Sequence, residues 1–208
     1  MRMDAVPDRP GIRVGAYSAP AGIVGRIDMN VLVAYASRHG ATQGIAEHIA
    51  DTLRGAGVDA RARSVDSVRD LDGYDACVVG GAAYMFHWLK ETAAFVRHHR
   101  AALEAMPVWL FSSGPLGTEP TNEKGQDQKT AAIPRELPEL AELVHAREYR
   151  VFFGAYSHDR KPIGLAERFM AVLPASRDAL PEGDFRDWPE IEAWAREIAD
   201  ALVPVGAR

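Results

Sequence analysis

Three short stretches of this sequence combine residue types able to hold a small, flat, negatively charged molecule. The first is Ser37-Arg38-His39-Gly40-Ala41-Thr42. Hydroxyls stand at both ends, Gly40 permits a tight turn, and a helix pattern begins at once. Backbone and side-chain donors therefore gather at a helix N-terminus that carries roughly half a positive charge. A phosphate suits that arrangement. The stretch lacks the Lys-Ser/Thr ending of a nucleoside-triphosphate loop and the spaced glycines of a dinucleotide fingerprint, which makes a phosphomonoester the expected guest. An ordinary capped turn uses the same residue types, and Arg38 serves equally as a phosphate cation or a solvated loop residue.

The second stretch is Gly80-Gly81-Ala82-Ala83-Tyr84-Met85-Phe86-His87-Trp88. Its small residues let a planar ligand approach the backbone, and the aromatic, imidazole and thioether groups that follow supply flat, polarizable walls. A ring system is the implied guest. Phe86 and Trp88 have an equally good alternative use, packing the following helix onto a sheet. The third stretch, Ser112-Ser113-Gly114-Pro115-Leu116-Gly117, offers hydroxyls and backbone amides to the polar edge of a heterocycle. Its position after a strand is what distinguishes it from a commonplace turn.

The elements that must position these stretches follow from hydrophobic pattern. Residues 30–35 form a continuous β-prone run, expected of a parallel strand covered on both faces. A helix starts near Thr42, carries Ile45, Ile49 and Leu53 on one face, and stops at Gly55 and Gly57. Residues 58–65 alternate apolar with charged, which suits a half-exposed edge strand. Further strands are expected at 76–80, 108–111 and 150–153, with a helical stretch at 89–106. A last helix opens at Asp187-Trp188-Pro189 and carries the stripe Ile191, Trp194, Ile198 and Leu202. Alternating strands and helices imply an α/β fold: a doubly wound five-stranded parallel sheet of order 2-1-3-4-5, with an insertion after strand four at 114–129. In such a sheet ligands bind beyond the carboxyl ends of the central strands, where all three stretches emerge.

Composition removes several classes of function. The chain has 208 residues, 24 Lys plus Arg against 29 Asp plus Glu, and a net charge of −5, the wrong sign for holding nucleic acid through its phosphates. With 47% hydrophobic and 25% charged residues it reads as a folded globular chain. Its one cysteine, Cys77, rules out an internal disulfide framework and sits in an apolar run expected to be core. His98 and His99 are adjacent on a helix and point apart, so no metal site is expected, and no Gly-x-Ser-x-Gly elbow is present. Residues 1–28, dense in Pro and Gly, read as a flexible N-terminal extension rather than a signal peptide, with one domain at 29–205. No apolar run is long enough for a membrane span.

Ser37, Gly40 and Thr42 match the Ser/Thr-x-x-Gly-x-Thr pattern of the flavodoxin-like family, which the chain resembles. FMN is the cofactor that this resemblance implies, held by Ser37, Arg38, His39, Gly40, Ala41, Thr42, Ala82, Ala83, Tyr84, Met85, Ser112, Ser113, Gly114 and Pro115. Further local stretches, among them Phe95-Val96, Met106-Pro107, Gly154-Ala155, Glu167-Arg168-Phe169-Met170 and Asp187-Trp188, are similar to the menaquinone-dependent protoporphyrinogen oxidase branch. That branch implies a heme-biosynthetic oxidoreductase passing electrons from a tetrapyrrole substrate through FMN to a quinone acceptor, with no catalytic residue beyond the flavin. It also implies a cytoplasmic location, with peripheral contact at the inner face of the cell membrane as an option. Two features depart from it. His39 and Tyr84-Met85-Phe86 stand where the family often has an acidic residue and Arg-Tyr-Gly, and the insertion mixes Glu119, Glu123 and Asp127 with Lys124 and Lys129 where the branch is markedly basic. Arg160, Lys161 and Arg168 are then the candidates for binding substrate carboxylates. A flavodoxin-type electron carrier between redox proteins is the alternative reading.

Overall fold

β1 (Ile27–Ala36) is the hub of the sheet, pairing in parallel with β2 (Val58–Ser64) on one side and β3 (Ala76–Tyr84) on the other. The computed structural model describes residues 27–122, 124–157 and 181–202. Most of the expected extension therefore lies outside the described residues, as do Arg160, Lys161 and the 167–170 motif. Val31, Leu32, Val33 and Ala34 are all fully buried, which is why β1 reads as an unbroken apolar run rather than an alternating one. β5 (Val108–Ser113) and β6 (Glu148–Phe152) complete the order β2-β1-β3-β5-β6, with the short β4 (His87–Trp88) set off to one side. Leaving β4 aside, this is the order 2-1-3-4-5 expected from the sequence, with β2 at an edge.

Helices cover both faces. α1 (Ala41–Gly55) buries Ile45, Ile49 and Leu53 completely, each side chain contributing about 1.5–3 kcal/mol relative to exposure. Beside it lies α6 (Trp188–Leu202), whose stripe of Ile191, Trp194, Ile198 and Leu202 is buried as the spacing predicts. Asp187 starts α6 by accepting the Glu190 N–H at 3.0 Å. The opposite face is covered by α2 (Lys90–His98), α3 (Arg100–Glu104) and α5 (Glu136–Leu143). Cys77 lies in this second layer, where burial pushes its thiol up, away from thiolate reactivity.

Several boundaries differ from the sequence reading. The 89–106 stretch is two helices, and the insertion ends in α4 (Gln128–Ala131), capped by Asp127, which accepts the Thr130 N–H at 2.7 Å. β3 runs four residues past its expected end at Gly80, because the chain reverses at Met85-Phe86 and β4 pairs back on it, Ala83 opposite Trp88 and Tyr84 opposite His87. The expected loop at 80–88 is thus a hairpin arm. β5 likewise runs through Ser112 and Ser113, which are strand residues. A small antiparallel pair, β7 (Ala155–Tyr156) and β8 (Gly183–Asp184), precedes α6.

Candidate functional site

The three stretches meet because parallel register sets the strand ends side by side. Tyr35 is opposite Gly80, Ala36 opposite Gly81, and Gly81 and Ala82 opposite Ser112 and Ser113. Side-chain contacts then tie them together. Thr42, fully buried on α1, shares a 2.7 Å hydroxyl–hydroxyl bond with Ser113, joining the first stretch to the third. Two hydroxyls carry two hydrogens and use one between them, which leaves the other to donate elsewhere. The Arg38 guanidinium lies 5.1 Å from the centroid of the half-buried Tyr84 ring, joining the first stretch to the second. A Cβ added to Gly114 would sit 3.0 Å from Ala83 Cβ, so the second and third stretches also touch. Pro115 is buried, and its carbonyl accepts the Gly154 N–H at 2.9 Å.

The first stretch has the electrostatics of an anion cradle. Gly40 adopts φ +85°, a left-handed conformation that costs other residues roughly 1–2 kcal/mol, and its N–H donates to Ser37 Oγ at 3.0 Å. α1 begins immediately afterwards with no side-chain cap and no acidic residue in its first turn. Helices gain about 0.3–1 kcal/mol from an acid at that end, a stabilisation that α1 does not draw from its own first turn. Ser37, Arg38, His39, Gly40 and Ala41 are half-buried around it.

The remaining predicted residues divide by strand alternation. Ser113 faces α1, and Ser112 therefore faces the α2 layer, fully buried; its hydroxyl and that of Thr92 have no hydrogen-bond partner among the described residues. Ala82, Ala83 and Gly114 are half-buried and line the approach with small groups. Met85 and Phe86, 79% and 58% exposed, stand at the hairpin tip with φ of +49° and +63°. Trp88 turns inward, its indole N–H donating to the Gly81 carbonyl at 2.9 Å, so packing is its use.

Sequence reasoning missed the group that fixes this tip. The Glu136 carboxylate on α5 accepts the Trp88 N–H at 3.0 Å and pairs with His87 Nδ1 at 2.6 Å, and the Arg135 N–H donates to the Phe86 carbonyl at 3.0 Å. Partners 48 and 49 positions apart leave no local signal. Partial burial pushes the Glu136 carboxyl up, but the hydrogen bonds from His87 and Trp88 outweigh it and hold the group below the usual range. A depressed carboxylate stabilises the fold above its unfolded-state pKa and loses that contribution as pH falls through its folded-state value. Glu136→Gln should therefore lower Tm at neutral pH, and the gap from wild type should close as pH drops below about 4.3. A gap independent of pH would show that the carboxylate's charge is not what holds the hairpin.

Comparison with known proteins agrees with the sheet topology. A family model described as a flavodoxin domain matches residues 32–171. The protoporphyrinogen IX dehydrogenase [quinone] of Escherichia coli strain K12 is 25% identical over 181 residues, covering 82% of this chain and 95% of that protein. Among solved structures, the oxidised flavodoxin 1 of Bacillus cereus matches with a TM-score of 0.52 at 13% identity, over 84% of this chain and 99% of that one. A flavodoxin from the domain Archaea matches with a TM-score of 0.51 at 16% identity, over 84% and 99%. The sheet order and the matched domain converge: this chain belongs to the flavodoxin family, and FMN is the cofactor that membership implies.

Proposed function

We propose that the protein is an FMN-dependent oxidoreductase that oxidises protoporphyrinogen IX in successive two-electron steps, with a quinone as electron acceptor. The observation that carries this reading is the alignment with the Escherichia coli dehydrogenase, which runs through 95% of that protein's length. FMN, when bound, supplies the redox chemistry. The chain's own residues bind, orient and exclude water. The uncapped first turn of α1, with Ser37 and Thr42, would hold the phosphate; Ala82, Ala83, Tyr84 and Met85 on the hairpin, and Ser113, Gly114 and Pro115 after β5, would border the ring system. The exposed pair Met85 and Phe86 gives an apolar partner such as a quinone a surface to approach. No helix among the described residues is long and apolar enough to cross a membrane. The proposed location is the cytoplasm, with peripheral contact where the quinone resides.

A flavodoxin-type electron carrier is the second reading, favoured by the net charge of −5, which suits docking to a basic redox partner. Anaerobic mixing with protoporphyrinogen IX and a menaquinone analogue separates the two. Quinone-dependent porphyrin formation is expected; no porphyrin, together with rapid reduction by a flavodoxin reductase, would establish the carrier instead. Thr42→Ala, which breaks the bond to Ser113 and removes a hydroxyl beside the cradle, should weaken FMN binding by about 1 kcal/mol, roughly fivefold, in a fluorescence titration. Unchanged affinity would place the phosphate elsewhere.

A further inference from the structure

Just before α6, Arg186 reaches across to the start of α1. Its Nη1 donates to the Ala41 carbonyl at 3.3 Å, 145 positions away in sequence. The rest of the guanidinium is fixed. Asp184 on β8 takes Nε at 2.7 Å and Nη2 at 2.5 Å as a two-point fork, and the Trp188 ring lies 4.4 Å away by centroid. Trp188 is itself backed by the His48 ring of α1 at 5.1 Å. The Arg186 bonds hold the Asp184 carboxyl below its ordinary range, as expected of an ion pair with a mostly buried cation.

The facing surface of α1 is cut to fit. Gly44 occupies the first turn, where Gly ordinarily weakens a helix, and a Cβ there would come within 2.6 Å of Arg186 Nη1. The glycine makes room for the guanidinium. Holding the Ala41 carbonyl also has a directional consequence. Ala41 C=O and Thr42 N–H belong to one planar trans peptide and point in opposite directions. In the first turn of α1 the carbonyls point along the helix and the N–H groups back towards its N-terminus, so the Arg186 bond steadies a peptide unit whose Thr42 N–H, one of the unsatisfied donors of that turn, faces the helix end that carries the Ser37 to Thr42 stretch.

We propose that Arg186, clamped by Asp184 and Trp188 and admitted by Gly44, is a positioning residue for the phosphate end of the cofactor. It acts through the peptide unit it anchors, since Asp184 pairs with its charge and takes two of its five donors. This rests on the reading of the Ser37 to Thr42 stretch as the FMN phosphate cradle.

The test is a flavin-fluorescence titration of the full-length chain with FMN and with riboflavin, which lacks the phosphate. Arg186→Ala should raise the FMN dissociation constant on the order of tenfold and leave that of riboflavin unchanged. Gly44→Ala, whose methyl displaces the guanidinium, should do the same alone and add nothing in the Arg186→Ala background. Equal losses for the two flavins, or additive effects of the two substitutions, would overturn the proposal and make Arg186 a general packing residue. A full-strength FMN complex in Arg186→Ala would overturn it outright. A wild-type chain that binds riboflavin and FMN equally would remove the cradle reading, and this inference with it. Thermal melts of the flavin-free variants identify any that fail to fold, and Gly44→Ala keeps the question answerable if Arg186→Ala is among them.

Discussion

Gly80→Ala should be strongly destabilising, although it adds a single methyl group. Gly80 lies in the middle of the sheet, and a Cβ there would fall 1.9 Å from Phe111 Cζ and 2.1 Å from Cε1. The ring is completely buried and has nowhere to go. Phe152 stands 6.1 Å from it and Trp194 6.2 Å, centroid to centroid, both also fully buried. Overpacking of a close-packed core costs about 1–3 kcal/mol and occasionally more, and a clash with a ring braced on two sides belongs at the upper end. A whole domain is commonly worth only about 5–15 kcal/mol. A urea melt should show a large drop in midpoint. Phe111→Leu in the same chain should restore part of the loss even though it is destabilising by itself, because it vacates the space the methyl needs. Additive losses in the double variant would show that the strain at Gly80 lies in the backbone and not against Phe111.

Trp194→Ala should be about as damaging, by the opposite mechanism. Trp194 is the largest fully buried side chain among the described residues, packed edge-on against Phe152 at 5.5 Å and against Phe111. Its indole N–H donates to Glu148 Oε2 at 2.9 Å, which ties α6 to β6. Truncating a buried Trp to Ala costs about 3–5 kcal/mol through lost transfer energy and the cavity left behind. Glu148 keeps its bond to Arg150 Nε at 2.6 Å, so little of the loss comes from an orphaned carboxylate. Trp194→Phe, which retains most of the volume, should recover more than half of the loss. If the two variants proved equally unstable, the indole hydrogen bond would be what matters.

The layering of the fold was legible because it is written in local pattern. The unbroken run of β1, the Ile45, Ile49 and Leu53 face of α1 and the Ile191 to Leu202 stripe each state their burial within one turn or one strand. The edge position of β2 follows from the alternation of Ala60 and Ala62 with Arg61 and Arg63. The hairpin was not legible. Reversals of two residues normally announce themselves with Gly or Asn, but Met85 and Phe86 take positive φ without either, held there by Glu136 and Arg135 from a distant helix. The extents of β3 and β5 were underestimated for a related reason: Gly81, Ala82, Ser112 and Ser113 have weak strand preference and are kept in the ladder by one another. At the site, the grouping of three stretches followed from topology alone. That Thr42 is bonded to Ser113, and that Arg186 reaches α1, are facts of side chains meeting across 71 and 145 positions, which no pattern within a stretch records.

The place of α6 in the core bears on how the chain is made. Ile191, Trp194, Ile198 and Leu202 complete the apolar layer that α1 begins, so until they are synthesised Phe111 and Phe152 lack the Trp194 ring that packs on them. A nascent chain that has reached β6 has every strand of its main sheet but lacks one of the two helices that cover this face. At about 5–20 residues per second, translating the 50 residues from the end of β6 to the end of α6 takes roughly 2.5–10 s. Through that interval the polypeptide on the ribosome presents an aromatic surface to the cell. Folding of this face therefore waits for α6, and chains that lack it would be substrates for chaperones and proteases and not merely shorter versions of the protein.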